Sequence, residues 1–143
     1  MTVRMLEKRD LPEVHALEQL CFHNPWGEES LALLCGDTAF GIVAEENGRV
    51  LAYGGMVTVL DEGQITNIAT HPDHRRRGLG RAVVKALLDT ARTHGLVSIS
   101  LEVRESNLAA IALYQRLGFV TCGRRPHFYT HPAEAALVMV ATL

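Results

Sequence analysis

The chain has 143 residues, 48% of them hydrophobic, which suffices for one globular domain, residues 1–143, with a buried core. Its formal net charge of −2 argues against a dedicated nucleic-acid binder, which would carry a basic excess over the whole domain. Cys21, Cys35 and Cys122 are odd in number and lack metal-ligand spacing, so neither a disulfide framework nor a zinc site is expected and a reducing cytoplasm fits.

The opening MTVRMLEKRD is polar where a signal peptide would be apolar, and no apolar run approaches membrane-span length; a soluble protein without membrane association is expected. Val3 to Leu6 reads as a short strand. Asp10 can cap a helix running to about Cys21, with Pro12 tolerated in its first turn. A second short helix is expected over Glu28 to Cys35. Ala39 to Glu45 and Arg49 to Leu60 are β-branched and apolar runs joined by Glu46-Asn47-Gly48, a hairpin turn. Asp61-Glu62-Gly63 then turns the chain into a strand from Gln64 to Thr70.

From Gly80 the period changes. Leu79, Val83, Ala86, Leu87 and Ala91 recur at helical spacing, and Gly95 after His94 stops the helix. Val97, Ile99, Leu101 and Val103 alternate with polar residues as in a half-buried strand. Asn107 can cap a helix ending at Leu117-Gly118, and Phe119 to Arg124 and Ala135 to Thr142 supply two final strands. The order predicts an α/β (α+β) fold: a mixed sheet flanked by helices, with parallel pairing where a helix intervenes between strands.

The segment His71-Pro-Asp-His-Arg-Arg-Arg-Gly-Leu-Gly80 falls between a strand and a helix. Unpaired N–H groups and the helix dipole favour an anion at such a helix start. Gly78 and Gly80 remove Cβ atoms that would hold a diphosphate off the backbone, and arginines can add charge-assisted bonds. On these residues alone, solvated arginines beside a glycine turn explain the pattern equally well. No Gly-Lys-Ser/Thr follows, so the segment is not a P-loop, and Gly-x-Gly-x-x-Gly is missing.

Arg75-Arg76-Arg77-Gly78-Leu79-Gly80 resembles the Arg/Gln-x-x-Gly-x-Gly/Ala signature of the GCN5-related N-acetyltransferases (GNAT family). Leu101-Glu102-Val103-Arg104-Glu105-Ser106-Asn107, with Ala110, Leu113-Tyr114 and Leu117-Gly118-Phe119, is similar to the block that follows in the ribosomal-protein-alanine subgroup. Asn67-Ile68-Ala69 and Pro25-Trp26 are similar to that subgroup too. The resemblance implies the GNAT fold: a mostly antiparallel sheet with one parallel strand pair around an acetyl-CoA site. It further implies an N-acetyltransferase acting by direct transfer on the N-terminal α-amine of a protein, a ribosomal protein with N-terminal alanine.

By resemblance the pyrophosphate of acetyl-CoA would lie on Arg75, Arg76, Arg77, Gly78, Leu79, Gly80 and Arg81. Ile68, Ala69 and Thr70 would supply backbone groups to the acetyl and pantetheine arms, and Asn107 would add a contact. Glu102, on the face opposite Leu101 and Val103, could accept the proton of the attacking amine. Without the motif it would read as an exposed strand residue or ion-pair partner. Tyr114 shares a helical stripe with Ala110, Leu113 and Leu117; the resemblance adds a role as the acid that protonates the coenzyme A thiolate. Arg125 to Tyr129 resembles the family's substrate-side hairpin, and Glu134 matches an acidic residue there, whereas Ala135 stands where a second acid is frequent.

His71 with His74 and His127 with His131 have ligand-like spacings but no evident third ligand, so no metal is expected. The competing functions are acetylation of lysine side chains or small amines and, outside enzymes, an acetyl-CoA sensor or a ribosomal-RNA-binding module. No specific nucleic-acid partner is expected.

Overall fold

The computed structural model describes residues 1–143. Seven strands form one sheet in the order β1-β2-β3-β4-β5-β7-β6. They are β1 (Thr2–Met5), β2 (Ala39–Glu46), β3 (Arg49–Val59), β4 (Glu62–Thr70), β5 (Ser98–Arg104), β6 (Val120–Tyr129) and β7 (Glu134–Thr142). Helices α1 (Leu11–Cys21) and α2 (Glu28–Ala32) precede β2, α3 (Leu79–Thr93) connects β4 to β5, and α4 (Leu108–Arg116) connects β5 to β6. Only β4 and β5 pair in parallel; every other neighbour pair is antiparallel. No helix is long and apolar enough to cross a membrane.

Period-two alternation in β2 feeds two cores. Phe40, Ile42 and Ala44 join the cluster under α3 and α4, with Val83, Leu87, Leu101 and Tyr114. Ala39 and Val43 join the cluster under α1 and α2, with Val14, Leu17, Leu31 and Tyr53. A strand covered on both faces must read as a continuous apolar run, which β2 does. Leu51 is the extra residue of a bulge between Ala44/Ala52 and Glu45/Val50, so Leu51 and Ala52 both reach the first cluster. Helix α3 buries Leu79, Val83, Val84, Leu87, Leu88 and Ala91 and ends before Gly95, whose φ is +76°.

Several expectations shift. Asp10 does not cap α1 with its side chain: its carboxylate takes a bidentate pair from Arg4, at 2.8 and 2.8 Å, and the Glu7 N–H at 2.8 Å. The Arg4 guanidinium holds the Asp10 carboxyl below the usual carboxylate range. The β3–β4 turn is Leu60-Asp61, with Leu60 at φ 55° and 96% exposed, so β4 begins earlier, at Glu62. Val97 precedes β5 and is exposed. Of the helical connections only the one through α3 creates a parallel pair: β1 and β2, joined through α1 and α2, pair antiparallel, and β7 inserts between β5 and β6 and is antiparallel to both. Finally, β6 extends through Pro126 to Tyr129, because Pro126 falls where the ladder to β7 is interrupted, between Arg125 and Tyr129, and no backbone donor is needed.

Gly54 sets the distance between β3 and α3. A Cβ there would lie 2.7 Å from Ile68 Cδ1, 2.8 Å from Val83 Cγ1 and 2.9 Å from Leu87 Cδ1. Gly54→Val should therefore destabilise the fold by about 1–3 kcal/mol through overpacking, read as a lower urea midpoint. An unchanged midpoint would contradict this packing.

Candidate active site

The parallel ladder between β4 and β5 is short, joining Glu62–Gln64 to Ser98–Ser100. Beyond it the strands part, although β4 continues to Thr70 and β5 to Arg104. On its other side β4 stays paired with β3, where a bulge at Thr66 changes the register between Gly55 and Met56. The gap is a cleft of about 650 Å³, walled by Ile65, Thr66, Asn67 and Ile68 from β4 and Leu101–Arg104 from β5. Asn107 and Tyr114 line its α4 side. Two segments close over it: the α1–α2 loop, with Phe22, His23, Asn24 and Trp26, and the β6–β7 turn, with Phe128–Pro132. They meet where the rings of His23 and His131 stack, centroids 4.0 Å apart.

Glu102 projects into this cleft with its side chain 15% exposed. Its Oε2 accepts from Gln64 Nε2 at 3.3 Å, and Arg125 Nε lies 3.8 Å from Oε1. Tyr114 packs its ring edge-on to Phe119, centroids 5.8 Å apart, and its hydroxyl makes no hydrogen bond within the protein. Burial, with a smaller contribution from the nearby Tyr129, pushes the Tyr114 phenol up to about 12, so it keeps its proton through neutral pH. Burial and the adjacent Glu102 also push Tyr129 upward. Asn107 caps α4 by accepting the Ala110 N–H at 3.2 Å and also lines the cleft.

Among the other expected site residues, Ile68 joins Glu102, Tyr114 and Asn107 on the cleft wall. The Ala69 side chain is turned into the α1/α2 core, so only its backbone could meet a ligand. Thr70 and the Arg/Gly loop lie past the cleft, adjoining it through Cys21, whose Sγ donates to the Thr70 carbonyl at 3.3 Å. Gly78, at φ +76°, stands at the N-terminal end of α3, and Ala82 makes the first helical bond, to the Gly78 carbonyl. The N–H groups of Leu79, Gly80 and Arg81 thus precede the hydrogen-bonded ladder. A Cβ at Gly78 would meet nothing within 4 Å, and one at Gly80 only Thr70 Oγ1 at 3.6 Å. Protein packing does not demand glycine at 80; the open space over the helix end fits a phosphate group held against the backbone.

The arginines divide. Arg77 is tied to Glu46 and to His74, at 2.9 Å, while Arg75 neighbours Cys21. Arg76, at φ 64°, Arg75 and Arg81 carry no carboxylate partner. The Leu79 side chain is in the core. Glu134 accepts from the Ser106 N–H at 2.7 Å and from Arg104 Nη1 at 3.2 Å, and so braces the β5–α4 connection. Arg104 also donates to the carbonyls of Thr130 and Pro132 and covers the Tyr129 ring at 4.4 Å, fixing the β6–β7 turn.

A buried polar node beside the cleft escapes motif reading. Glu18, fully buried, accepts from the Trp26 N–H, Tyr53 Oη and Asn67 Nδ2. Its one sequence signal is a carboxylate on the apolar stripe of Val14, Leu17 and Cys21. No group of three His, Cys, Asp or Glu side chains is arranged to hold a metal ion.

A mixed sheet whose one parallel pair parts to frame a cleft, with a glycine-rich helix start beside it, agrees with the acetyltransferase fold that the resemblance implies. Residues 11–119 match the acetyltransferase (GNAT) family. The chain is 39% identical over 140 residues to the [ribosomal protein bS18]-alanine N-acetyltransferase of Escherichia coli K12, covering 96% of this chain and 95% of that one. It is 34% identical to the putative enzyme of the same name from Bacillus subtilis, covering 99% and 95%. The crystal structure of the Escherichia coli ribosomal-protein-S18-alanine N-acetyltransferase superposes with a TM-score of 0.91 at 38% identity, over 99% of this chain and 92% of that one. The chain belongs to the GNAT family and is an acetyl-CoA-dependent N-acetyltransferase.

Thiol reactivity checks the geometry around the cleft. Burial pushes the Cys21 and Cys35 thiols up, whereas Cys122 is exposed. An aromatic disulfide reagent should therefore modify Cys122 first, with Cys21 and Cys35 reacting more slowly. Cys21 reacting first would contradict its placement against Thr70.

Proposed function

We propose that the whole chain, residues 1–143, is one acetyltransferase domain that acetylates the N-terminal α-amine of a ribosomal protein in the cytoplasm. The relatives' names supply the substrate: ribosomal protein bS18, at its N-terminal alanine. The observation that carries the chemistry is the shared cleft wall, where a carboxylate from β5 and a phenol from α4 face one cavity.

An N-terminal amine suits such a site. With a pKa near 8, about a tenth of it is neutral at pH 7, against about four in ten thousand for a lysine near 10.4. Acetyl-CoA supplies a thioester carbonyl open to attack by an amine. Glu102 takes the proton that the amine nitrogen loses, directly or through one water, and Gln64 holds the carboxylate in place. Tyr114 gives its phenolic proton to the departing sulfur. The N–H groups of Leu79, Gly80 and Arg81 with Gly78 receive the diphosphate; Arg75, Arg76 and Arg81 add positive charge, and Arg77 shapes the loop through Glu46. Backbone groups of Ile68, Ala69 and Thr70 on the unpaired side of β4 receive the acyl and pantetheine arms, and Asn107 adds a contact from the α4 side. Cys21 is a poor competing nucleophile, since its thiol is bonded to Thr70 and pushed up by burial; this favours direct transfer in a ternary complex over an acetyl-enzyme.

Assayed on an alanine-initiated peptide and on a matched peptide blocked at its N-terminus but containing lysine, the enzyme should prefer the first. Glu102→Gln and Tyr114→Phe should each lower kcat by roughly 10²–10⁴-fold. Because Tyr114 is held near 12, the wild-type rate should show no falling limb around pH 10, the ordinary tyrosine range. Wild-type rates in both variants would overturn these roles. In calorimetry, Gly80→Val should weaken acetyl-CoA binding more than Arg76→Ala does, since a branched side chain would occupy the space over the helix end; the reverse order would contradict the proposed cradle.

A further inference from the structure

Glu18 is a carboxylate with no exposed surface and no cation within ion-pair distance. Burying such a group is unfavourable unless donors surround it, and here three groups donate to it. Oε1 accepts from the Trp26 N–H at 2.9 Å, Oε2 from Tyr53 Oη at 2.7 Å, and Asn67 Nδ2 bridges both oxygens at 3.1 Å.

The three donors do not depend on Glu18 equally. Tyr53 and Asn67 sit in β3 and β4, whose ladder pairs Tyr53 with Ala69 and Gly55 with Asn67, so backbone bonds already place them. The α1–α2 loop has no such support. At its ends, the Phe22 N–H bonds the Glu18 carbonyl and the Leu31 N–H bonds the Gly27 carbonyl, and between them only the Trp26 N–H finds a partner. That partner is the Glu18 side chain. The same loop presents Phe22, His23, Asn24 and Trp26 to the cleft opposite Glu102, on the side closed by Phe128–Pro132.

We infer that Glu18 is a positioning residue for the acceptor: it fixes the α1–α2 loop against the β4 wall and so shapes the entry that the substrate amine uses to reach Glu102. This rests on the N-terminal acetylation proposed above. The cofactor loop at residues 75–81 is built from other bonds, so loss of Glu18 should touch one substrate and spare the other.

Glu18→Leu removes both acceptors. It should raise KM for the acceptor peptide about tenfold or more, as expected for loss of a hydrogen bond to a charged group, with acetyl-CoA affinity within about twofold of wild type. Glu18→Gln should recover most of the loss, because its amide oxygen can still accept from Trp26 while its NH₂ donates to a rotated Tyr53 hydroxyl. Tyr53→Phe leaves the Trp26 bond intact and should alter stability without altering acceptor KM. Trp26, the one tryptophan, reports the loop without any substrate: its emission should shift to longer wavelength in Glu18→Leu while far-ultraviolet dichroism stays native. Should that variant not fold, the wild-type Trp26 amide can be read by hydrogen exchange, and it should be protected while those of His23 and Asn24 exchange fast. Equal rises in both substrates' KM, or an unprotected Trp26 amide, would overturn the inference. A wild-type enzyme that acetylates no N-terminal peptide would instead overturn the substrate proposal, and the emission and exchange results would still decide the role of Glu18 in the loop.

Discussion

The structure turns on the limited pairing of β4 with β5. Three residues of each strand form the parallel ladder, after which two extended segments run apart with edges that no other strand covers. Unpaired backbone donors and acceptors inside a fold require partners, which is the physical basis for the proposed placement of the amide-bearing pantetheine arm along β4. Each strand is held on its outer side: β4 stays paired with β3, with a bulge at Thr66, and β7 pairs with the far edge of β5 over its whole length, from Ser98 to Arg104.

From that parting the other parts acquire their positions. Helix α3 must cross from the end of β4 back to the start of β5, which puts its N-terminus and the Arg/Gly loop beside the opening. Helix α4 leaves the end of β5 and carries Tyr114 to the same space, capped by Asn107 at the point of departure. Glu102 lies on the parted half of β5, with its neighbours Leu101 and Val103 in the core to hold the strand. The proposed base and acid, Glu102 and Tyr114, are thus attached to consecutive elements of the chain, while the opposite side of the cleft is closed by distant ones, a loop near residue 24 and a turn near residue 130.

Much of this was legible in the sequence where the determinants are local. The Asn47-Gly48 turn, with both residues at positive φ, the apolar stripe of α3, the alternation in β5 and the Asn107 cap appear as the spacing predicts. Glu102, Tyr114, Ile68 and Asn107 do converge on one cleft. What was not legible depends on partners far along the chain. Asp10 was expected to cap a helix, but Arg4 and the Glu7 amide take its carboxylate. Glu134 matches a substrate-side acid by resemblance, and no local signal shows that Ser106 and Arg104 hold its carboxylate. The insertion of β7 between β5 and β6 leaves no local mark, because a strand's period is the same whichever neighbours it has. Glu18 did leave one, a charge on an apolar stripe, but its meaning needs Tyr53 and Asn67, 35 and 49 residues away.

The most direct test of the account is incubation of the enzyme and acetyl-CoA with ribosomal proteins from a strain lacking its own N-terminal acetyltransferase, followed by mass spectrometry of intact proteins and their N-terminal peptides. The account predicts one acetyl group on the α-amine of a single ribosomal protein, bS18, and none when the Glu102→Gln variant replaces the wild type. Acetyl groups confined to lysine side chains, or modification that persists in that variant, would contradict it.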